Sequence, residues 1–452
     1  MTVSVVLFTS DLRLHDNPVL SAAVRASDQV VPLFVADDGV RAAGFDAPNR
    51  RAFLADCLRD LDAGLRKRGG HLVVRSGAVV DEVCAVVRAV GADRVHLAGG
   101  VSGYAAGRER RLREALEPIG CGLSVHDAVV TALAPGTVTP TDRDHYTVFT
   151  PFFRRWSEEG VREVAPTPRK IAVPDITAGS LPRRSQVEGV SPGLVEGGET
   201  AGRSQLHKWL ADGVTEYEET HDDLAGDATS RLSPFLHFGA LSPVELVQLA
   251  RRAGSPGAEA FVRQLAWRDF HYQVLAARPA AAHADYRPRG DRWRDDEHEV
   301  AAWRAGRTGY PLVDAAMRQL AHEGWMHNRG RMLVASFLTK TLYADWRTGA
   351  RHFLDLLVDG DVANNQMNWQ WVAGTGTDTR PNRVLNPVVQ GKRFDADGSY
   401  VRRWVPELAD LERKFIHEPW KLDDAARADL DYPEPIVDLA EGRARFEQAR
   451  GV

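Results

Sequence analysis

Val3-Ser-Val-Val-Leu-Phe8 is a short apolar run rich in β-branched residues, and it predicts a buried β-strand. The polar segment Thr9–Pro18 follows and is expected to form a loop at the carboxyl end of this strand. Alternation of this strand with further elements predicts a doubly wound parallel sheet, a fold that binds ligands beyond the carboxyl ends of its strands. The further strands are expected at Val30–Val35, Leu72–Arg75 and Val95–Ala98, with amphipathic helices at Pro18–Ala26, Arg51–Arg68, Val79–Val90 and Ala105–Leu116. No G-x-G-x-x-G motif follows the first strand, so the usual dinucleotide fingerprint is absent.

The composition changes after this α/β domain, which we assign to residues 1–133. Prolines punctuate residues 134–202, which indicates a long interdomain linker with one amphipathic piece near Phe152–Glu159. Helical periodicity dominates residues 203–452, where Ser242-Pro-Val-Glu245 predicts a capping box. Other helices are expected at Ala258–Ala277, Pro311–His322, Arg329–Thr341 and Ala350–Val358. The predicted fold class is therefore α/β followed by an all-α domain.

The totals describe an ordinary globular protein, with 452 residues, of which 44% are hydrophobic and 26% charged. This length predicts two or three domains. Because the formal net charge is -5, binding to nucleic acid would require a local basic patch. Three separated cysteines form no metal-binding pattern, and no signal sequence or membrane-length apolar run is evident. We expect a cytoplasmic protein with no metal and no membrane partner.

The segment Asp359-Gly-Asp-Val-Ala-Asn-Asn-Gln-Met-Asn-Trp-Gln-Trp371 lies in the helical half and combines carboxylates, amides and two indoles. Buried carboxylates and amides are costly unless a partner satisfies them, and indoles offer large stacking surfaces. Two interpretations are open. The segment is either a wall around a flat, polar-edged aromatic cofactor or a polar loop whose indoles anchor it to the core.

Thr229-Ser-Arg-Leu-Ser233 places three hydroxyls and a guanidinium at a predicted helix start, where free backbone amides bind anions such as phosphate. A plain N-cap followed by a solvated arginine is the simpler alternative. In the same half, Arg331 and Asp359 could pair beside a cofactor, or could form an ion pair with a purely structural role.

The helical segment Phe261–His271 repeats large and polar side chains at intervals of three and four residues, which places them on one broad face. These residues are Phe261, Gln264, Trp267, Arg268 and His271. The combination suits stacking on a flat ligand with hydrogen bonds to its edge. The alternative is a helix whose tryptophan is core and whose arginine pairs with an acid.

Together these motifs resemble the photolyase/cryptochrome family over nearly the whole chain. The shared motifs are Ser10–Asn17, Thr229–Ser233, Met326–Arg329, Asp359–Asp361, Asn365, Trp369–Trp371 and Thr375–Asp378. The branch that the sequence resembles most is the class I cyclobutane pyrimidine dimer photolyases. The resemblance implies an α/β antenna domain and a helical domain that holds FAD in a folded conformation. It also implies a monomeric enzyme that repairs UV-damaged DNA, in which reduced, anionic FAD passes a light-excited electron to the dimer and recovers it.

The resemblance assigns a flavin site residue by residue. Tyr217 and the segment Thr229–Ser233 resemble phosphate contacts, Arg331 and Asp359 the pair near the flavin ring, and Asn365 the amide that faces the ring nitrogen N5. The FAD-binding residues implied in this way are Tyr217, Thr229, Ser230, Arg231, Leu232, Ser233, Phe261, Arg268, Asn328, Arg331, Asp359, Asp361 and Asn365. An amide at Asn365 adds no repulsion to an anionic flavin, and plant cryptochromes typically carry Asp there.

Trp369, Trp346 and Trp293 align with the electron-transfer triad of the family and are implied to be catalytic together with Asn365. From the sequence alone, each of these indoles is compatible with ordinary helix packing. The implied contacts with the lesion and the DNA are Gln264, Trp267, His271, Asn328, Arg329, Met332, Trp371, Arg383 and Gln390. Photolyases of six-four photoproducts usually carry His at the positions of Asn328 and Met332, which argues against that substrate.

Two departures from the family pattern bear on these roles. Gln264 stands where many dimer photolyases have Glu, and an amide can bond a pyrimidine edge but cannot act as an acid. His221-Asp222 stands where an Arg-Asp pair is usual, so one phosphate contact could be titratable.

The antenna pigment is expected to be 8-hydroxy-5-deazaflavin, with methenyltetrahydrofolate as the alternative. Arg51-Ala-Phe-Leu54 and the Asp37-Asp38 loop resemble the deazaflavin branch, which makes Arg51 an antenna contact. The Asn-Glu pair of the folate branch is not intact around Arg108-Glu109, but the acidic contacts of the deazaflavin branch near Gly100–Ser102 are missing as well.

Three rival functions remain open at the level of sequence. A cryptochrome would signal through partners without repair, a six-four photolyase would act on the other main UV lesion, and a catalytically silent DNA-binding protein would hold no flavin. Asn365 argues against the first, while Gln264 keeps the second open.

Overall fold

The computed structural model describes residues 1–452 and begins with a five-stranded parallel sheet. Its strand order is β3-β2-β1-β4-β5, and Val5 of the central strand pairs with Val31 and Val95. The strands are β1 (Val3–Phe8), β2 (Gln29–Asp37), β3 (Val73–Gly77), β4 (Arg94–Ala98) and β5 (Gly122–His126). The predicted doubly wound sheet is confirmed, with one strand that the sequence did not reveal. β5 lies at an edge, every residue in it is half-buried, and it therefore lacks the apolar run of a central strand.

Some helix ends of this domain carry recognisable caps, whereas α3 and α4 begin after Ala47 and Ala78 without a side-chain cap. Helix α1 begins at Pro18 after Asn17, whose side chain accepts a hydrogen bond from the amide of Leu20, and α4 ends at Gly91 in the left-handed region. The helices are α1 (Pro18–Ala26), α2 (Asp38–Ala42), α3 (Pro48–Arg66), α4 (Val79–Val90) and α5 (Gly103–Leu116). Helix α3 starts earlier than predicted because its first turn buries the polar residues Asn49 and Arg50.

The predicted linker, residues 134–202, is packed against the α/β domain along much of its length. The amides of Val30 and Val74 donate to the carbonyls of Ala172 and Ala178 at 2.8 Å and 2.7 Å. Helix α6 (Phe149–Glu158) buries Phe149, Phe152 and Trp156. One hydrophobic core runs from the sheet through these residues into the helical half, so the connecting segment joins the domains into one packed body.

The helical half contains no strand with a partner in a sheet, in agreement with the predicted all-α domain. Its helices are α7 (Glu199–Asp212), α8 (Tyr217–Thr220), α9 (Ser233–His237), α10 (Pro243–Ala253), α11 (Pro256–Ala277), α12 (Glu297–Ala305), α13 (Pro311–Glu323), α14 (Asn328–Ser336), α15 (Trp346–Leu356), α16 (Val362–Ala373), α17 (Pro387–Phe394), α18 (Ser399–Trp404), α19 (Asp424–Ala428) and α20 (Leu439–Arg450). Helix α14 continues into a π-helical segment, Phe337–Thr341. None of these helices is both long and apolar enough to cross a bilayer.

The capping box predicted before α10 forms only in part. The hydroxyl of Ser242 accepts from the amide of Glu245 at 3.3 Å, as expected of an N-cap. The carboxylate of Glu245 does not return to the cap but pairs with Arg203 of α7 at 2.8 Å. A tertiary ion pair has therefore replaced the local half of the motif.

The Thr9–Pro18 loop ties the two halves together. Arg13, only 1% exposed, donates to the carbonyls of Asp16 at 3.1 Å, Gly239 at 2.9 Å and Val129 at 3.0 Å. Asp16 is fully buried with a positive φ of 48° and accepts from Arg162 and from Ser242. The polar residues of this loop thus satisfy buried groups across the domain boundary.

Candidate functional site

The amino terminus of α16 carries two carboxylates in different environments. Asp361 caps the helix, accepting from the amide of Asn364 at 2.8 Å and from its side chain at 2.7 Å. Asp359 is 7% exposed and pairs with Arg331 of α14 at 2.8 Å. The other oxygen of Asp359, Oδ1, is buried and has no hydrogen-bond partner in the chain. A buried carboxylate oxygen without a donor is a position where a ligand N–H or O–H can bind.

Asn365 lies one turn further along α16 and is buried. Its Nδ2 donates to the carbonyl of Ala350 at 3.0 Å and to the side chain of Gln366 at 3.3 Å, while its Oδ1 accepts no hydrogen bond from the chain. The amide is therefore oriented by α15, which leaves its oxygen available to a neighbour.

The predicted phosphate segment has a different electrostatic character from the one expected. Arg231, at a positive φ of 51°, donates to Asp227 at 2.5 Å and to Glu323 at 3.1 Å, and it lies 4.2 Å from the ring centroid of Trp325. Its charge is thus neutralised within the chain. The hydroxyl of Thr229 is buried without a partner, so the free polar group of this segment is a hydroxyl and not the guanidinium.

An aromatic cluster borders the predicted flavin site. The rings of Tyr217 and Phe261 both contact Trp209 of α7, with centroids 5.6 Å and 4.3 Å away. The indole Nε1 of Trp209 is buried and has no acceptor. Sequence reasoning missed this residue, because a single indole in an amphipathic helix is typical of core packing.

The five residues predicted to share one face of α11 face different surroundings. Gln264 is exposed and Trp267 is half-buried, whereas Phe261 is buried and His271 is 3% exposed. Arg268 donates to the carbonyls of Val130 and Leu236, at the boundary between the domains. Only Gln264 and Trp267 therefore reach the surface where DNA could bind.

Trp267 is stacked on a residue from the linker. Its indole lies 3.7 Å from the ring of Phe149, centroid to centroid, with the planes 6° apart. Arg263, exposed on α11, lies 5.0 Å from the Phe149 centroid. The sequence did not identify Phe149 as part of the site, since more than a hundred residues separate it from Trp267 and its own segment is proline-rich.

His271 takes part in a polar chain that leads to the cap of α16. Its Nδ1 lies 3.0 Å from Oδ1 of Asn364, whose Nδ2 donates to Asp361. Burial lowers the pKa of His271 to about 4, so the ring is neutral at ordinary pH and Nδ1 carries the proton. The arrangement orients the Asp361 carboxylate, and it places His271 behind the surface at which a DNA contact was predicted.

Several of the predicted lesion contacts border a single depression on the surface. Met332 of α14, Trp371 of α16 and Arg383 of the loop after α16 line it, together with Lys340. Asn328 is exposed one turn before Met332, with its Nδ2 4.0 Å from the sulfur. The depression encloses only about 10 Å³, so a base that enters it must displace side chains at its rim.

Two other predicted DNA contacts are less accessible. Arg329 donates to Asp222 through Nε at 3.2 Å and lies 4.3 Å from the ring centroid of Phe394. Gln390 is buried on α17, with its Oε1 lacking a partner. Of the three, Arg383 is the most accessible to a phosphate.

The three tryptophans predicted to transfer electrons differ in burial and in their neighbours. Trp369 of α16 packs against Gly349 of α15, where a Cβ would lie 2.5 Å from Cζ3 of the indole. Trp346, fully buried and one turn before Gly349, donates from Nε1 to Asp285 at 2.9 Å. Trp293 is half-buried, and its ring centroid lies 5.0 Å from that of Tyr343, three residues before Trp346. Trp369 and Trp346 are therefore buried, whereas Trp293 reaches the surface.

A separate cavity of about 360 Å³ lies beyond the carboxyl ends of β1, β2 and β4. Its walls are mainly apolar, and the helical half closes it through His237, Tyr272 and Val362. The polar residues that line it include Asp37, Asp46, Arg51, Tyr104, Arg108 and Asp361. This is the location that the doubly wound fold predicts for a ligand, and it adjoins the residues around Asp361.

The polar edge of this cavity contains one unsatisfied cation. Arg108 is half-buried overall, its Nε is buried without an acceptor, and burial lowers the pKa of the guanidinium. Tyr104 donates to Asp37, and burial together with this carboxylate raises the pKa of the phenol to about 12. Arg51 lies on the cavity wall with Asp46 3.7 Å away. The cavity can therefore offer cationic donors to a flat, anionic ligand.

Comparison with known proteins finds two family models that match this chain. Residues 4–171 match the family model described as DNA photolyase, and residues 261–451 match the model described as FAD binding domain of DNA photolyase. A deoxyribodipyrimidine photo-lyase of Streptomyces griseus is 70% identical over 454 residues, which cover 100% of both chains.

Solved structures share the whole fold. A bacterial class III photolyase from Agrobacterium tumefaciens superposes with a TM-score of 0.93 at 34% identity, covering 100% of this chain and 97% of that one. An archaeal photolyase from Sulfolobus tokodaii with two FAD molecules superposes with a TM-score of 0.86 at 31% identity, with 100% of both chains covered.

Proposed function

Since this chain belongs to the DNA photolyase family, we propose that it repairs cyclobutane pyrimidine dimers in UV-damaged DNA by a light-dependent reaction. The observation that carries the proposal is the arrangement of α14 and α16. Consecutive residues of α14 serve both places, since Arg331 pairs with Asp359 before α16 and Met332 borders the surface depression together with Trp371 of α16. A cofactor site and a lesion site can thus share two rigid helices.

The residues of the first site fit FAD. Buried polar atoms that lack partners occur on Thr229 and Asp359, which are assigned to the flavin, and on Trp209 beside them. Reduced FAD, when bound there, supplies the light-excited electron that opens the cyclobutane ring. Asp359 would accept a hydrogen bond from the cofactor, and Asn365 would place a neutral amide beside it, which avoids repulsion of an anionic ring.

The residues of the second site fit a dimer extruded from the duplex. Trp267 and Trp371 would flank the flipped-out bases, as base flipping requires apolar or aromatic surfaces to replace lost stacking. Gln264, exposed on α11, can bond a pyrimidine edge through either its carbonyl or its amide. Arg383 would neutralise a backbone phosphate, and Arg329 could do so only by sharing its charge with Asp222.

The tryptophan path would keep the cofactor reduced. Trp369 would donate first, Trp346 would refill it and Trp293 would connect the path to solvent. Their burial supports this order, because Trp369 and Trp346 are buried and Trp293 is the one that reaches solvent. The enzyme would act as a monomer in the cytoplasm, where its three buried cysteines stay as free thiols.

The cavity at the sheet would hold the antenna pigment. Its apolar walls and the cations Arg51 and Arg108 favour a flat aromatic anion, which is the chemistry of 8-hydroxy-5-deazaflavin. Methenyltetrahydrofolate is the alternative, and the second FAD of the Sulfolobus tokodaii relative makes a flavin the third candidate. The absorption band of protein purified from its native host, compared with recombinant protein, would distinguish these pigments.

Binding in the dark tests the proposed substrate. Duplexes with one cyclobutane dimer, one six-four photoproduct or no lesion would be titrated with flavin-loaded protein. We expect a clear preference for the cyclobutane dimer. Equal affinity for all three would favour a signalling cryptochrome, a preference for the six-four lesion would favour the other repair reaction, and a preparation that binds no flavin would favour a silent DNA-binding protein.

A further inference from the structure

Lys340 is a buried cation that the assignments above leave unexplained. It lies in the π-helical segment after α14 and is 1% exposed. Its Nζ donates to the carbonyl of Pro381 at 2.9 Å and to that of Arg383 at 2.5 Å. No carboxylate lies within the 4.0 Å limit of an ion pair with it. Lysine is seldom buried without a paired acid, so a role for this charge is expected.

Both carbonyls belong to the loop between α16 and α17, which also carries the exposed side chain of Arg383. Ser336, one turn before Lys340, accepts from the amide of Leu385 at 3.0 Å. The loop is therefore held at three backbone positions by two side chains of one helix. Apart from Lys340, no donor in the chain bonds the carbonyls of Pro381 and Arg383, so loss of the ammonium would leave them unsatisfied.

The ammonium lies next to the surface where DNA is expected. Ser336, Lys340 and Arg383 border the same depression as Met332 and Trp371. The position of the Arg383 side chain relative to Trp371 thus depends on a backbone segment that Lys340 fixes. A π-helical turn at this place is consistent with a functional constraint on the helix, since such turns cluster at functional sites.

We propose that Lys340 is a positioning residue for DNA binding, whose charged ammonium holds the loop so that Arg383 meets a DNA phosphate. Loss of the proton from Lys340 weakens its hydrogen bonds to both carbonyls and releases the loop. This inference rests on the proposed function, because it concerns the same DNA surface.

Burial and the neighbouring charges move the pKa of Lys340 to a pH at which DNA binding can be measured. Burial lowers the pKa of Lys340 to about 7, Asp378 on the loop opposes the shift, and Arg383 and Arg450 add to it. Arg450 of α20 is itself paired with Asp291 at 2.5 Å, and the ring of Phe446 lies 5.5 Å from the ammonium. The charged form therefore prevails below neutral pH and is lost above it, so that affinity for DNA falls as the pH rises.

A double-mutant cycle on undamaged duplex tests the coupling, with Lys340→Met, Arg383→Ala and the double variant in flavin-loaded protein. Each single change is expected to reduce the slope of log affinity against log salt by about one. The double variant is expected to bind like either single variant, since both remove one phosphate contact. The proposal would be overturned if the loss of affinity in the double variant equalled the product of the two single losses. It would also be overturned if Lys340→Met bound DNA as tightly as the parent chain.

The unmodified protein provides a second test if Lys340→Met does not fold. The salt slope would be measured from about pH 6 to about pH 9 for the parent chain and for Arg383→Ala. We expect the parent slope to fall by about one with rising pH and the variant slope to stay constant. If the salt slopes of the two proteins changed in parallel with pH, the role of Lys340 would be contradicted but the proposed function would not. Failure of the parent chain to bind any duplex would overturn the proposed function as well.

Discussion

A single glycine decides where the indole of Trp369 can lie. Because a Cβ at Gly349 would lie 2.5 Å from a ring carbon of Trp369, we predict that Gly349→Ala displaces the indole and destabilises the fold by about 1–3 kcal/mol. Denaturant unfolding measures the loss. Gly103→Ala is the matched control, since no atom lies within 4 Å of its added methyl group, and an equal loss there would show that crowding at Trp369 is not the cause.

A substitution at Trp369 can distinguish reduction of the cofactor from repair of the lesion. Trp369→Phe is expected to slow light-driven reduction of the oxidised cofactor severalfold or more, while repair by chemically pre-reduced protein changes little. Trp404→Phe, which removes a half-buried indole beside Arg403, controls for loss of an indole as such. Absorbance during illumination gives the first rate, and lesion analysis gives the second. Loss of repair in the pre-reduced variant would mean that Trp369 serves the cofactor or the lesion directly.

At the scale of elements, one ion pair links α14 to the segment that precedes α16. Arg331→Ala leaves the carboxylate of Asp359 buried without its cation, and removal of one partner from a buried pair costs up to about 3 kcal/mol. We predict that Arg331→Ala lowers the free energy of unfolding by this amount and also loses bound FAD. Arg351→Ala removes an exposed pair with Asp355 on α15 and should cost less than about 1 kcal/mol with FAD retained. Equal effects of the two changes would contradict the role of Arg331.

Elements also mark the limit of what the sequence predicts. Central strands and long helices were predicted because apolar periodicity is a local property, as in β1 and α11. The edge strand β5 lacks that pattern. The carboxylate of Glu245 was expected to cap α10, but Arg203 from another helix competes for it.

Site residues could be predicted from the sequence where function restricts the residue type. They could not be predicted where their role depends on tertiary contacts. Asp359, Asn365 and Trp371 form one conspicuous segment, whose resemblance to the family is confirmed. Trp209, Phe149 and Lys340 could not be identified, because their roles depend on neighbours far away in the chain. Arg231 is assigned a phosphate by resemblance, yet its charge is shared with Asp227 and Glu323, which only the fold reveals.

At the scale of the whole molecule, the shared core predicts that both domains unfold together. All tryptophans lie from residue 156 onward, so their fluorescence reports on the linker and the helical half, whereas circular dichroism reports on the entire chain. We predict that the two signals change at the same denaturant concentration. Separate transitions would show that the two domains are independent.

The interdomain role of Arg13 follows from the same architecture. Arg13→Met would leave the carbonyls of Val129 and Gly239 without donors, and it should cost roughly 2–4 kcal/mol. Arg94→Met, an exposed change on β4, is the control and should cost less than about 1 kcal/mol. A small loss for Arg13→Met would mean that the Thr9–Pro18 loop does not stabilise the domain boundary.

The central claim is that the helical half delivers a light-excited electron from its cofactor to a pyrimidine dimer. The most direct measurement illuminates flavin-loaded, reduced protein with an oligonucleotide that bears one cyclobutane dimer, and compares it with a dark sample and with a six-four oligonucleotide. We predict restored pyrimidines only in the illuminated cyclobutane sample. A dimer that stays intact under light, or one that is restored equally in the dark, would contradict it.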